Sequence, residues 1–196
     1  MRKVIVLTLF LSLGLIPLHP GFAQEEPPKA KCLEAVEFFT GFSLGKLHGQ
    51  KNYEVIPFIV DFDFDLKPLL AKLNIRPKAL LQFQIEPNLA VISSPHANME
   101  TGVAFALKAG LLPQTSKIQP YLKVALGLDY MTLHTHEQGT QFNFIEYGGV
   151  GAHYFFKKNT AFTIEGRFRH LSNSGIKDPN KGINAYFVLA GITQQF

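Results

Sequence analysis

The sequence predicts an all-β protein, an eight-stranded antiparallel, up-and-down transmembrane β-barrel. Three observations lead to this prediction. Apolar residues recur with a period of two rather than 3.6, the period-two segments are long enough to cross a bilayer at a tilt, and the N-terminus has the features of a secretory signal. No run of 18 or more apolar residues follows that signal, which excludes a helical membrane protein.

Residues 1–23 are expected to be a signal peptide. Arg2 and Lys3 supply the positive start and an apolar run follows them. Small residues before the expected cut, including Ala23, suit signal peptidase, so cleavage is expected after Ala23.

The mature chain is then about 173 residues, enough for one domain. We expect an N-terminal periplasmic segment at 24–34 and a single outer-membrane barrel domain at 35–196. Cys32 is the only cysteine, so no intrachain disulfide supports the fold. The terminal Phe196 resembles the sorting signal of bacterial outer-membrane barrels, and this resemblance implies an outer-membrane location.

The expected strands are separated by turn-like stretches rich in Gly, Pro, Asn and Ser. The connection at 66–80 is longer and is expected to hold a short helix. The strands are expected at about 36–47, 54–65, 80–92, 99–111, 120–132, 141–155, 161–172 and 184–196.

Each strand has one apolar and one polar face. In the fifth, Leu122 and Val124 alternate with Lys123 and Ala125. Charges of both signs with small residues suit the narrow interior of a barrel, so the apolar face is expected to meet lipid. Periodicity alone leaves open a soluble periplasmic barrel that binds lipid inside. Four tyrosines are expected at the membrane interfaces: Tyr121, Tyr130, Tyr147 and Tyr154.

The seventh strand is expected to end at the cell exterior if the N-terminus is periplasmic. Phe168 must face lipid, because the opposite choice points Arg167 and Arg169 into hydrocarbon, at roughly 2–4 kcal/mol for each arginine. His170 and Ser172 share the parity of Phe168, so both are expected on the outer wall near the outer leaflet.

This pair has the composition of an esterase site. A serine hydroxyl becomes a useful nucleophile when a histidine takes its proton and a third group orients the imidazole. Same-face neighbours on a strand lie roughly 6.5–7 Å apart at the backbone, so the side chains of His170 and Ser172 can lean together.

The segment RHLSNSGIKDPNKGIN resembles the signature of the PagL family of lipid A 3-O-deacylases. In that family a strand ends in His-x-Ser-Asn, a small residue and Gly follow, and a Pro-Asn-x-Gly loop comes next. The matching residues are His170, Ser172, Asn173, Ser174, Gly175, Pro179, Asn180 and Gly182.

The resemblance implies a carboxylic-ester hydrolase that removes a 3-O-linked acyl chain from lipid A in the outer leaflet. Ser172 would be the nucleophile and His170 the general base. Asn173, with backbone N–H groups near Gly175, would stabilise the oxyanion. The resemblance implies no metal and no other cofactor.

The sequence departs from the family at one position. Twelve residues after the serine, the family carries a glutamate that orients the histidine, and this chain has Asn184. Asparagine accepts a hydrogen bond from imidazole but brings no full charge. Asn184 in this role, another acid such as Asp178, and an inactive homologue all remain open.

The expected partners are lipopolysaccharide and outer-membrane lipids. Lys177 and Lys181 are expected to meet the phosphates of lipid A or to lie in a solvated loop. The net charge of +4 comes from scattered lysines, so nucleic-acid binding is not expected. His134 and His136 are expected in an exposed loop rather than a metal site. A homodimer stays open, as does a non-enzymatic barrel with a structural or adhesive role.

Overall fold

The computed structural model describes residues 33–49 and 51–196. In this part of the chain, eight strands form a closed barrel in which every strand pairs antiparallel with the next and the last pairs with the first. The predicted fold class is therefore confirmed. The strands are β1 Ala35–Gly45, β2 Tyr53–Asp65, β3 Ala79–Ser94, β4 Asn98–Pro113, β5 Ile118–Met131, β6 Phe142–Lys157, β7 Thr160–Ser172 and β8 Ile183–Gln195.

One short helix, α1 (Lys67–Ala71), lies in the connection where a helix was expected. The predicted signal peptide and Cys32 lie outside the described residues. Within those residues, no helix combines the length and the apolar character needed to cross a membrane.

The apolar face of every strand points outward. In β5, Leu122 and Val124 are exposed while Lys123 and Ala125 between and after them are buried. The same alternation holds in β7, where Phe168 is exposed and Arg167 is buried. The outer wall is therefore an apolar belt suited to lipid, and the soluble barrel with an apolar interior is wrong.

The interior is filled by paired charges. Lys123 donates to Asp61 at 2.6 Å and to Glu86 at 2.7 Å, and Arg167 donates to Glu86 at 2.5 Å. Pairing offsets the free energy that each charge loses on leaving water. A cavity of about 20 Å³ beside Glu86 and Glu100 has no room for a lipid chain.

The prediction of four interfacial tyrosines is wrong for two of them. Tyr121 and Tyr147 are buried in the interior, where their hydroxyls donate to Glu165 at 2.6 Å and to Glu86 at 2.8 Å. Tyr121 has the parity of the buried Lys123 in β5, and Tyr147 has the parity of the buried Asn143 in β6, so both rings face the interior. Tyr130 and Tyr154 are exposed on the outer wall.

Candidate active site

The candidate site lies at the C-terminal end of β7, on the outer wall of the barrel. His170 and Ser172 are partly exposed, whereas Arg169 and Leu171 beside them point inward and are buried. Period two therefore presents the imidazole and the hydroxyl on the same lipid-facing side. The loop at 173–182 begins directly after Ser172 and connects to β8.

Asn184 lies directly opposite His170 in the β7–β8 ladder. His170 Nδ1 and Asn184 Oδ1 are 2.6 Å apart. Because an amide oxygen only accepts hydrogen bonds, Nδ1 must be the donor. Nε2 of the neutral ring then keeps its lone pair and can accept a proton.

Ser172 is close to His170 along the strand but is not bonded to it. Among the described residues, no hydrogen bond joins the Ser172 hydroxyl to the imidazole. Their backbones are about 6.5–7 Å apart, the spacing of same-face neighbours, so side-chain rotation governs the remaining separation. Catalytic hydrogen bonds are often long before substrate binds and shorten in the complex.

Gly182 limits where the imidazole can lie. It has φ +76°, a conformation that favours glycine, and a Cβ at this position would collide with Cε1 of His170. The missing side chain therefore leaves the space that the ring occupies. Gly182 thus leaves room for the His170 ring on the loop side, while Asn184 of β8 binds its Nδ1.

Asn173 has a structural role that differs from the predicted one. Its side chain is buried, and its amide donates to the carbonyls of Lys177 at 2.7 Å and Pro179 at 3.1 Å. Its Oδ1 accepts from the Gly175 N–H at 2.9 Å. The donors of Asn173 and Gly175 are thus committed within the loop, and neither is free to bind an oxyanion.

A second loop, at 132–141, supports the loop that follows Ser172. The Gly139 N–H donates to the Pro179 carbonyl at 2.6 Å, and the Lys181 N–H donates to the Glu137 carbonyl at 2.9 Å. Gln138 donates to the carbonyl of Leu171 at 3.2 Å. These contacts hold the C-terminal part of loop 173–182 and the end of β7 against the second loop.

The remaining predicted residues are placed as follows. Lys177, Lys181 and Asp178 are exposed in the loop, and within the described ranges no hydrogen bond or ion pair links Asp178 to the imidazole. His134 and His136 are exposed, as predicted.

An interior cluster of three carboxylates, Glu37, Asp61 and Asp63, has the spacing of a metal site. Lys108 donates to Glu37 at 2.8 Å and to Asp63 at 3.1 Å, and Lys123 donates to Asp61. These ammonium groups balance the negative charge of the carboxylates, so the cluster is part of the interior ion-pair network.

One residue near the site was missed by the sequence analysis. Glu146 of β6 lies directly opposite His170 in the β6–β7 ladder and is exposed on the outer wall. The signal that could have found it is a single carboxylate on an otherwise apolar strand face.

The closed barrel, with its apolar wall and charged interior, defines the class of the protein: a small outer-membrane β-barrel. A family model described as lipid A 3-O-deacylase (PagL) matches residues 76–193, which is more than half of the chain. The chain therefore belongs to the lipid A 3-O-deacylase family. No curated protein is significantly similar to it in sequence.

Two solved structures share the fold. The crystal structure of the outer membrane enzyme PagL matches with a TM-score of 0.59 and 16% sequence identity, over 80% of this chain and 97% of the other. The crystal structure of Neisserial surface protein A (NspA) matches with a TM-score of 0.62 and 12% identity, over 83% of this chain and 96% of the other. At these identities the likeness shows the fold alone.

Proposed function

We propose that this member of the family is a serine esterase that hydrolyses the 3-O-linked acyl ester of lipid A. The chain would be exported by a signal peptide at 1–23 and would carry its barrel at 35–196, after a periplasmic segment at 24–34. The observation that carries the proposal is the outward placement of His170 beside Ser172, with Nδ1 bonded to Asn184. An ester on this wall is reached from the lipid phase, not from the barrel interior.

The height of the pair on the barrel supports a glycolipid substrate. Below it on β7, Phe168 and Ile164 are exposed apolar side chains, and above it the loop carries the exposed Lys177 and Lys181. This order matches acyl chains below and phosphates above. Cations at the headgroup level attract anionic lipid, so the two lysines would hold the phosphates of lipid A.

The reaction follows from the donors and acceptors of the pair. Ser172 Oγ attacks the ester carbonyl as its proton passes to Nε2 of His170, giving a tetrahedral oxyanion and an imidazolium. The intermediate collapses, the sugar oxygen leaves with the proton from Nε2, and the acyl group stays on Ser172. Water then attacks with the same histidine as base and releases the fatty acid.

Oxyanion stabilisation needs a donor other than those first predicted, because Asn173 and Gly175 are engaged in the loop. The backbone N–H of Ser174, two residues after Ser172, has no hydrogen-bond partner among the described residues. It would supply this donor, and such a donor is worth roughly 3–4 kcal/mol of barrier height.

A non-enzymatic barrel is the second candidate. Two observations favour it: Asn184 stands where the family has an acid, and Ser172 is not bonded to His170. A barrel that kept the scaffold and lost the reaction would show both features.

Mass spectrometry of lipid A separates the two candidates. Cells would express the wild type, Ser172→Ala, His170→Ala and the control Ser93→Ala. Ser93 is an exposed outer-wall serine at the end of β3, far from β7 in the strand order. Loss of one hydroxyacyl chain with the wild type and Ser93→Ala alone supports the esterase. An unchanged lipid A profile in all four strains rejects it, provided that each barrel reaches the outer membrane.

A further inference from the structure

His170 has two cross-strand neighbours at its own level. Asn184 lies opposite it on β8 and Glu146 lies opposite it on β6. Directly opposed residues of antiparallel strands share a face, with Cβ atoms about 4.5–5.5 Å apart. The buried Ile145 and Tyr147 on either side of Glu146 agree with this outward direction. No hydrogen bond or ion pair joins these two described side chains, so a rotation of the Glu146 side chain would bring its carboxylate to the edge of the imidazole.

The position of Glu146 is unusual for a carboxylate. Most acidic residues of the described strands point inward, where many have ion-pair or hydrogen-bond partners. Among the acids of the described strands, only Glu54, near the start of β2, points outward as Glu146 does. Glu146 is the fifth residue of β6, and its β5 partner is the exposed Leu126. An acid on a lipid-facing wall is unfavourable unless a partner or a function retains it.

The only ionisable neighbour of Glu146 across β5 or β7 is His170. Both residues line the same groove of about 500 Å³ on the outer wall, together with Gly148 and Phe168. No hydrogen bond or ion pair of Glu146 with another described side chain competes for the carboxylate. The charge is thus available to the imidazole and is shielded from bulk solvent when lipid covers the wall.

We propose that Glu146 is a positioning residue that supplies, from β6, the negative charge that position 184 lacks. Asn184 holds the tautomer of His170 through Nδ1, and Glu146 stabilises the imidazolium that forms when Nε2 takes the Ser172 proton. Two tasks that one acid performs in a Ser-His-Asp site are divided here between two strands. The proton stays on His170 until it passes to the leaving oxygen. This inference rests on the proposed esterase function.

The test compares purified barrels refolded into vesicles that contain lipid A. The variants are Glu146→Gln, the double variant Glu146→Gln/Asn184→Glu and the control Glu54→Gln, which removes an outer-wall carboxylate at the same end of the barrel. We expect Glu146→Gln to lower kcat by roughly 10- to 100-fold with KM within about twofold, since the charge acts in the transition state. Asn184→Glu should restore most of that loss, and Glu54→Gln should behave as wild type.

The outcomes separate this inference from the esterase proposal. Wild-type kcat in Glu146→Gln overturns it, and so does a loss that Asn184→Glu fails to restore. If the wild type leaves lipid A intact, the esterase proposal fails. The rate at which a fluorophosphonate labels Ser172 then tests the role of Glu146 by itself. Slower labelling in Glu146→Gln that Asn184→Glu restores upholds the role of Glu146. Equal rates, or no labelling of the wild type, overturn it.

Discussion

His170 Nδ1 and Asn184 Oδ1 form a 2.6 Å hydrogen bond across the β7–β8 ladder. Because the two residues are direct partners in the register, the strand backbones set their separation, and no flexible loop intervenes. The ladder therefore fixes which imidazole nitrogen carries the proton, and it leaves the lone pair of Nε2 free.

Replacing Asn184 tests this bond. Asn184→Ala removes the acceptor and leaves the tautomer unselected, so we expect kcat to fall roughly 10- to 100-fold while KM changes little. Asn184→Asp keeps an acceptor and adds a charge, and it should be at least as active as the wild type. Deacylation rates in lipid A vesicles provide the measurement. Wild-type kcat in Asn184→Ala would show that the bond has no role in the reaction.

Gly182→Ala tests the space that the imidazole needs. The added methyl group collides with Cε1 of His170, so the ring must move and activity should fall at least tenfold. The positive φ adds strain of roughly 1–2 kcal/mol.

Gly49→Ala is the matched control for Gly182→Ala. Gly49 has φ +70°, and a Cβ there would lie 4.0 Å from His136. Both variants should lose stability in urea through the strain of the positive φ, but only Gly182→Ala should lose activity. Equal activity of the two would mean that the loop does not position the ring.

Which face of each strand points to lipid was predictable from the sequence, because the period-two pattern places the charged residues together on the opposite face. In β7, Arg167 and Arg169 exclude one orientation, and the burial of both confirms the other. Tyr121 has the parity of Lys123, so the rule that placed the lysine inside also places the ring inside.

The site was less predictable because it depends on register and on loop geometry. Parity alone shows that Glu146 points outward, but its pairing with His170 depends on the offset between β6 and β7. The bonds of Asn173 depend on a loop with positive φ at both Ser174 and Gly175, which no residue pattern specifies. Motif matching therefore singled out this segment but gave no information on the bonds that engage the Asn173 side chain within the loop.

Asn173→Ala tests the role that the structure gives this side chain. The variant loses three hydrogen bonds within the loop, each worth about 1 kcal/mol. We expect trypsin to cut after Lys177 or Lys181 several times faster, while the barrel itself stays resistant.

The control for this experiment is Asn88→Ala, because the Asn88 side chain of β3 forms no hydrogen bond with another described residue. It should leave the rate of loop cleavage unchanged. Wild-type cleavage in Asn173→Ala, together with lost deacylase activity, would instead return Asn173 to the oxyanion role first predicted for it.

Glu86 is an interior acid with three hydrogen-bond donors, and its removal tests the polar core. It accepts from Lys123 at 2.7 Å, Arg167 at 2.5 Å and Tyr147 at 2.8 Å. Glu86→Ala leaves two buried cations short of a partner, so the free energy of unfolding should fall by about 3–5 kcal/mol. Urea titration of the barrel in vesicles measures the change.

Glu54→Ala removes a rim carboxylate outside the interior network and should change the unfolding free energy by less than about 0.5 kcal/mol. A similar small effect in Glu86→Ala would mean that water enters and solvates the cations. The interior pairs would then contribute little to stability. The larger loss follows only if the side chains fill the bore, because buried cations without partners have no water to replace the lost carboxylate.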